Sequence, residues 1–377
     1  MTRALRVLHI ASGDLWAGAE VQAFTLMAHL KRMPETEVAA VLMNGGTLAE
    51  RLQSAGVSVY ILNEQQSGAI TIFSGLRGVL RSWRPDIVHT HREKENILGS
   101  LAIWSCLAVP SVRTVHGAKE HSRAAGWKGV RRRTVSRIDR WCGQHLQQRV
   151  IAVTRELGAR MRNEFPEEKM VVIENGVDSE EVKRGVGKAA FRIAEPNAAH
   201  IGIVGRLVEV KRVDLFIEAA ALLLQGQPER QWRFHIFGEG PCRSNLEMLS
   251  RRLHVGDKVM FHGHRQDIAT CISGLDALVI CSDHEGMPMT SLEAAVLGIP
   301  TVAHAVGGLV EVVPEEFLVS RHDASGYRDG ILRALRTDGR SIAVKRADSV
   351  RIQFSAQRNA DRVRALYEQV LAESHHA

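Results

Sequence analysis

The chain has 377 residues, of which 45% are hydrophobic and 24% charged, and a net charge of +7. That length exceeds one ordinary core and suits two domains of roughly 150–200 residues, while the balance of residue types excludes a disordered or fibrous chain. Cysteines at 106, 142, 242, 271 and 281 lack metal-ligand spacing, which predicts reduced thiols in a cytoplasmic protein.

The apolar start, Met1 to Ile10, is too short for a signal peptide. Strands are expected at Arg6–Ile10, Glu37–Met43, Val57–Leu62, Ile87–His89, Ser111–Val115 and Val150–Val153. Helical patterns fall between them at Ala19–Lys31, Thr47–Ala55, Ile72–Ser82 and Asn96–Leu107. The longest apolar run, Ile97 to Pro110, contains Ser and Gly, falls short of a membrane span and reads as buried helix. Repeating strand–helix order implies a parallel sheet with right-handed crossovers, so residues 1–185 are expected to form one doubly wound, Rossmann-like α/β domain.

Three strand ends in this half carry candidate chemistry. Gly13-Asp-Leu-Trp-Ala-Gly18-Ala-Glu20 joins the first strand to the first helix and is not G-x-G-x-x-G, so a nicotinamide cofactor is poorly supported. His89 and His91 end the Ile87 strand, and of the two His91 is expected to face the predicted cleft. His116-Gly117 ends the Ser111 strand, where the imidazole reads equally as a structural partner or a catalyst. From Lys119 to Arg149 the chain is strongly basic, with Glu120 and Asp139 as its acids and Trp127 and Trp141 among the cations. Either a solvated helix face or a surface for anionic lipid or a phosphorylated acceptor fits this stretch. No nucleic-acid-binding motif accompanies the charge, so nucleic acid is not an expected partner.

Residues 186–199 read as a linker, after which the alternation resumes over 200–354. Strands are expected at His200–Val204, Arg233–Phe237, Lys258–Phe261, Ala277–Cys281 and Thr301–Ala303, with helices at Val213–Leu224, Cys242–Leu253 and Pro288–Leu297. Two such domains imply a cleft between the carboxyl ends of two sheets. A final helix, Ser355–Ala372 within 355–377, is expected to pack back on the first domain.

In the second domain, Gly205 followed by Arg206 and Lys211 could grip phosphate oxygens from two sides, although a plain basic helix entry fits as well. Phe237-Gly-Glu239-Gly-Pro241 is a tight turn, with or without a ligand contact at Glu239. His262 and His264 end another strand. The most informative segment runs from Ser282 to Glu293. Strand, turn and helix follow one another there, with Glu285 in the turn, a helix expected to begin near Met287 or Pro288, and Glu293 inside that helix. Free N–H groups of the first helical turn form an anion site, and Met289 shares a helix face with Glu293. Asp-x-Asp is absent from the sequence, which weakens any role for a divalent metal bridging a diphosphate.

Taken together, these segments resemble the retaining glycosyltransferases of family 4, which have the GT-B architecture. The residues that carry the resemblance are Glu285-x7-Glu293 within Ser-x-x-Glu-Gly-x-Pro, Gly205-Arg206 with Lys211, and Asn175-Gly-Val-Asp178. Phe237-Gly-Glu-Gly-Pro241, His116-Gly117, and Gly298-Ile-Pro300 followed by Gly307-Gly308 and Glu311 complete it, in the family's order along nearly the whole chain. The resemblance implies transfer of a sugar from a nucleotide-diphosphate sugar to a hydroxyl of a glycan or lipid-linked acceptor. It assigns the donor diphosphate to Arg206 and Lys211, the ribose to Glu293, and the transferred sugar to Glu285. The segment Gly286, Met287, Pro288, Met289 and Thr290 would cradle phosphate and sugar, with Gly18, Gly205, Glu239 and His264 as further donor contacts. His116 would sit beside the anomeric centre and His91 on the acceptor side. No metal or other cofactor is implied. One departure stands out: where the family has a Gly-Gly pair in its first loop, this chain has Ala17-Gly18. The implied setting is cytoplasmic, at the inner face of a membrane that the basic 119–149 region would meet.

Overall fold

The computed structural model describes residues 3–14, 16–107, 109–117 and 126–376. Contacts divide the chain into two compact units, Met1–Gly176 with Ala356–Ala377, and Val177–Ser355.

Seven parallel strands form the sheet of the first unit: β1 (Leu5–Ala11), β2 (Thr36–Leu42), β3 (Ser58–Ile61), β4 (Ile87–Thr90), β5 (Ser111–Val115), β6 (Arg149–Ala152) and β7 (Met170–Val172). Their order is β3-β2-β1-β4-β5-β6-β7, with Val7 opposite both Val38 and Ile87. Parallel strands are covered on both faces, which is why they are almost wholly apolar. Val7 and Leu8 on β1 are both fully buried, on opposite faces. Val7 joins Met27 and Leu30 of the helix Gly18–Arg32, and Leu8 joins Leu76 and Leu80 of the helix Ala69–Trp83. The C-terminal helix, Ala356–His376, inserts Val363, Leu366, Tyr367 and Val370 into the first of these cores.

The second sheet has six parallel strands: β8 (Ala199–Val204), β9 (Trp232–Phe237), β10 (Val259–Gly263), β11 (Ala277–Ile280), β12 (Thr301–His304) and β13 (Leu318–Val319). Its order is β10-β9-β8-β11-β12-β13, so the crossover direction reverses between β8 and β11. Ligands of doubly wound sheets bind beyond the carboxyl ends of strands at such a reversal. The stretch before β8 carries a short helix, Ala190–Ala194, whose Phe191 ring lies 4.2 Å from the His235 ring.

One of these helices corrects a sequence expectation. The apolar run from Ile97 does form a helix, Glu93–Cys106, with Ala102 and Ile103 buried, but Trp104 is 74% exposed. An apolar stretch is not evidence that every side of its helix is covered. The basic region forms the helix Gly126–His145, and Lys119 to Ala125 lie outside the described residues. Its inner side carries Asp139, whose carboxylate accepts two hydrogen bonds from the Arg113 guanidinium of β5, at 2.7 and 2.8 Å. Both partners are about as buried as core leucines, at 2% and 3% exposure. Its outer side exposes Arg131, Arg133, Arg137 and Arg140 together with Val130, Ile138 and Trp141. Among the described residues no helix is long and apolar enough to cross a membrane.

Candidate active site

The second unit gathers most of the expected residues at the strand ends beside the topological reversal. Past β8 the chain turns through Gly205 into a single 3-10 turn, Glu209–Lys211, and Arg212 takes a left-handed conformation (φ 45°) before the helix Val213–Gly226. The neighbouring Phe237–Pro241 turn holds this loop in place. Gly205 N–H donates to Phe237 O at 2.9 Å and Leu207 N–H to Glu239 O at 2.9 Å. A Cβ at Gly238 would overlap the Gly205 carbonyl, and one at Gly240 would overlap Leu207 backbone. The glycines of this turn therefore serve close backbone packing. Glu239 itself is half exposed and paired with Arg243, and His264 is exposed. Neither lines the pocket.

The second wall is the turn after β11. The Glu285 carboxylate, 9% exposed, accepts a hydrogen bond from Lys211 Nζ at 2.6 Å and another from Ser282 Oγ at 2.5 Å. Asp283 N–H donates to Val210 O at 2.9 Å, and the Asp283 carboxylate meets Arg212 at 3.4 Å and His322 Nε2 at 2.9 Å. These bonds tie the basic loop to the acidic turn. Gly307 and Gly308 back the turn from behind: Gly308 N–H donates to Gly286 O at 2.7 Å, and a Cβ at Gly307 (φ 57°) would overlap the Glu285 carbonyl. The sequence offered Gly307-Gly308 only as part of a resemblance; its physical purpose is to let one backbone lie against another.

The resulting pocket encloses about 360 Å³ of space open to solvent and is lined by Gly205, Arg206, Lys211, Ser282, Glu285, Pro288 and Thr290, among others. Pro288 is the N-cap of the helix Met289–Val296, so the helix starts one residue later than the sequence suggests. Met287 and Met289 are buried, at 3% and 4% exposure, which leaves their backbone rather than their side chains for a ligand.

Glu293, part-buried in that helix, has its carboxyl raised to about 7, first by burial and then by the nearby charge of Glu181. A pKa raised by folding means that the folded state holds the proton more tightly. Stability is therefore lost as pH climbs from 4.5 through about 7 and is level above. Glu293→Gln removes this penalty. Thermal or denaturant unfolding should show the variant about 1–2 kcal/mol more stable than the parent at pH 8, and equal to it at pH 4. Equal stability at both pH values would show that the carboxyl is not perturbed.

The first unit has its own polar cluster at the ends of β1, β4 and β5. His9 is fully buried, and His9 Nδ1 lies 2.9 Å from His91 Nε2. His91 Nδ1 lies 3.3 Å from His116 Nε2. His89 is bonded to Tyr367 Oη at 2.5 Å and to Thr114 Oγ1 at 2.7 Å. His91, expected to face the cleft, is 4% exposed and bonded through both ring nitrogens, to His9 and to His116. Burial lowers all four imidazoles, His9 to about 3 and His116 to about 4, so the cluster is neutral at physiological pH. His9, His89 and His91 bring ring nitrogens within 4.8 Å of one another, near enough to suggest a metal centre. Five of their six nitrogens are already in hydrogen bonds, and His89 and His91 stack face to face at 4.4 Å. Lone pairs of stacked rings do not converge on one ion, so the group fits a hydrogen-bonded array better than a metal cage. In the same region Arg92 pairs with Asp14 and with the buried Glu20, which lies in the first turn of the helix that opens at Gly18. Burial raises the Glu20 carboxyl to about 7 against the pull of Arg92. The sequence gave no sign of this pair, because its members are 72 residues apart.

Comparison with known proteins agrees with the fold. A family model described as Glycosyltransferase Family 4 matches residues 16–181, and one described as Glycosyl transferases group 1 matches residues 198–337. An Escherichia coli UDP-Gal:alpha-D-GlcNAc-diphosphoundecaprenol alpha-1,3-galactosyltransferase is 23% identical, with 96% of each chain covered. A D-inositol 3-phosphate glycosyltransferase of Saccharomonospora viridis is 25% identical over 94% of this chain and 86% of its own. Among solved structures, the Anabaena protein HepE in complex with UDP and glucose superposes with a TM-score of 0.83 at 18% identity, covering 97% of this chain and all of the other. Sucrose-phosphate synthase from Thermosynechococcus elongatus gives 0.78 at 18% identity, covering 98% of this chain and 100% of that one.

Proposed function

The chain belongs to glycosyltransferase family 4 and has the GT-B fold, and from that premise we propose that it moves a sugar from a nucleotide-diphosphate donor to an acceptor hydroxyl with retention of anomeric configuration. The observation that carries this reading is the pocket in which Arg206 and Lys211 stand at one strand end and Glu285, Pro288 and Thr290 at the next. In this reading the diphosphate takes the positive charge of Arg206 and Lys211 and the N–H groups of the helix Met289–Val296, while Glu293 accepts from the ribose hydroxyls. Glu285, held by Ser282 and Lys211, accepts from hydroxyls of the transferred sugar. The C1–O bond to the diphosphate breaks, a bond to the acceptor oxygen forms on the same face, and the acceptor proton passes to the departing phosphate oxygen. Negative charge grows on the leaving group in that step. The fixed cations are worth most there, which makes the contribution electrostatic and leaves no step that requires a divalent metal.

The acceptor is assigned to the first unit, at His116 and the loop through Gly18, and its class to a glycan or lipid-linked saccharide of cell-surface polysaccharide or glycolipid synthesis. Support for a lipid comes from the helix Gly126–His145. At 100° per residue Val130, Ile138 and Trp141 share one stripe, with Arg133, Arg137 and Arg140 along one edge and Arg131 along the other, all exposed. Apolar and aromatic residues flanked by arginine suit the surface of an anionic bilayer.

A thermal-shift screen of nucleotide sugars, starting with uridine diphosphate sugars because solved neighbours hold UDP, tests the donor assignment through mass action. Stabilisation by one of them, followed by an axial-to-axial or equatorial-to-equatorial product by NMR, is the expected result. Stabilisation by nicotinamide dinucleotides alone would overturn the assignment, and consumption of nucleotide sugar without acceptor would point to hydrolysis or epimerisation. Sedimentation with anionic but not zwitterionic vesicles is expected for the lipid surface; no sedimentation with either would remove it.

A further inference from the structure

Two imidazoles that do not line the pocket hold the acidic turn of Glu285 from behind. The chain from the end of β12 lies along that turn in one register: His304 meets Ser282, Gly307 lies against Glu285 and Gly308 meets Gly286. The two glycines make backbone contacts. His304 makes a side-chain bond, Nδ1 to Ser282 O at 3.0 Å. A carbonyl only accepts, so His304 carries a hydrogen on Nδ1. Ser282 is 1% exposed, and its hydroxyl donates to the Glu285 carboxylate at 2.5 Å. Ser282 alone therefore separates the His304 ring from that carboxylate.

His322, in the loop after β13, stacks on His304, with ring centroids 3.8 Å apart and planes 11° from parallel. His322 Nε2 faces the Asp283 carboxylate at 2.9 Å, and His322 Nδ1 faces Tyr327 Oη at 2.8 Å. The partners set the direction here as well. Burial lowers the basicity of His322, so the ring is neutral at physiological pH and has one N–H. The carboxylate accepts, which places that hydrogen on Nε2 and makes Tyr327 Oη–H the donor to Nδ1. Tyr327 is fully buried on the helix Ala324–Ala334 and anchors the ring in the core. Asp283 also gives its N–H to Val210 O, so the turn is held at two successive residues.

We propose that His304 and His322 are positioning residues whose stack fixes Ser282 and Asp283 and thereby sets where the Glu285 carboxylate stands toward the transferred sugar. The consequence for catalysis rests on the proposed assignment of Glu285 to that sugar, whereas the ring bonds do not. Either imidazole alone would hold one residue of the turn. Stacked, neither ring can rotate without meeting the other, so the two residues keep one arrangement. A misplacement of about 1 Å can cost on the order of 10²-fold in rate, so the loss of one bond behind the turn is expected to show in turnover.

Long-range ¹H–¹⁵N correlation spectra of the full chain, free of ligand, at pH 7.5 should show hydrogen on Nε2 alone in His322 and on Nδ1 in His304. Hydrogen on Nδ1 of His322, or none on Nδ1 of His304, overturns the arrangement. His304→Phe and His322→Phe keep an aromatic face for the stack and remove the bonds to the turn. With UDP-glucose as the donor probe, each should lower kcat about tenfold while the inhibition constant of UDP stays within about threefold, because UDP lacks the sugar that Glu285 meets. A change of tenfold or so in both quantities would mark general disruption and overturn the positioning role. His304→Asn places an amide donor near Nδ1 and His322→Gln places one near Nε2, and each should recover kcat to within about threefold of the parent. Equal losses in the Phe and amide variants would reduce the rings to packing. In ligand-free crystals His304→Phe should displace the Glu285 carboxylate by about 1 Å, and a carboxylate left in place overturns the proposal. If His322→Phe does not fold, His304→Phe and the parent spectra decide. A parent that neither binds nor turns over any nucleotide sugar would sink the transferase reading, and the position of Glu285 in the His304→Phe crystals would still decide the clamp.

Discussion

Lys211→Ala should lower turnover of sugar transfer by about 10³-fold, with a much smaller change in donor KM. Two losses combine at this position. The ammonium is one of the two side-chain cations that line the pocket, and it also holds Glu285 at 2.6 Å. A carboxylate with only 9% exposure loses its cation and keeps Ser282 alone. In the proposed reading its grip on a sugar hydroxyl then weakens, since the side chain is no longer fixed from two sides. Lys211→Arg keeps the charge but exchanges a compact ammonium for a planar fork, so it should recover only part of the rate. Arg206 is exposed, and Arg206→Ala should fall nearer 10²-fold. Steady-state kinetics at saturating donor separates these cases. A Lys211→Ala enzyme with full turnover would remove the diphosphate from this pocket.

The second large effect is on stability. Asp139→Ala strands the Arg113 guanidinium at 3% exposure, where it loses two bonds at 2.7 and 2.8 Å and keeps the Asp139 carbonyl at 3.0 Å and Gln147 at 3.4 Å. Removing one partner of a buried ion pair costs about 3–5 kcal/mol, most of it the uncompensated charge. Denaturant unfolding of the first unit should shift by that amount. Replacing both partners, Arg113→Met with Asp139→Leu, should return most of it, since no buried charge then remains. A loss below about 1 kcal/mol in the single variant would mean that water reaches the guanidinium.

Much of this was legible in the sequence because it follows from local patterns. Apolar runs between amphipathic segments gave eleven strands and a doubly wound architecture, and Arg206, Lys211 and Glu285 do converge on one pocket. Strands β7 and β13 were missed because three and two residues are too few to show a period. The directions of Glu239 and His264 were not legible for a different reason: a motif fixes which residues lie near a strand end, not which way an exposed side chain turns. Glu239 turns to Arg243, four residues on and the first residue of the next helix. His91 illustrates the reverse failure. Strand alternation cannot reveal that a polar residue facing inward will find two other imidazoles there, because His9 and His116 arrive from 82 and 25 residues away. Buried polar networks depend on pairing across strands, and a single sequence does not display it.

The return of Ala356–His376 to the first unit bears on how the chain is made. Val363, Leu366, Tyr367 and Val370 complete a core whose other members come from Val7, Met27 and Leu30. During synthesis the earlier residues emerge first, yet their core stays unfinished until the whole of Val177–Ser355 has been translated. The second unit, continuous in sequence, can close on its own while the first waits with apolar surface uncovered. Domains that fold as they leave the ribosome usually do so from the N-terminus. Here the order is inverted, and the long loop that must close before the last helix docks makes the first-translated unit the last to be completed.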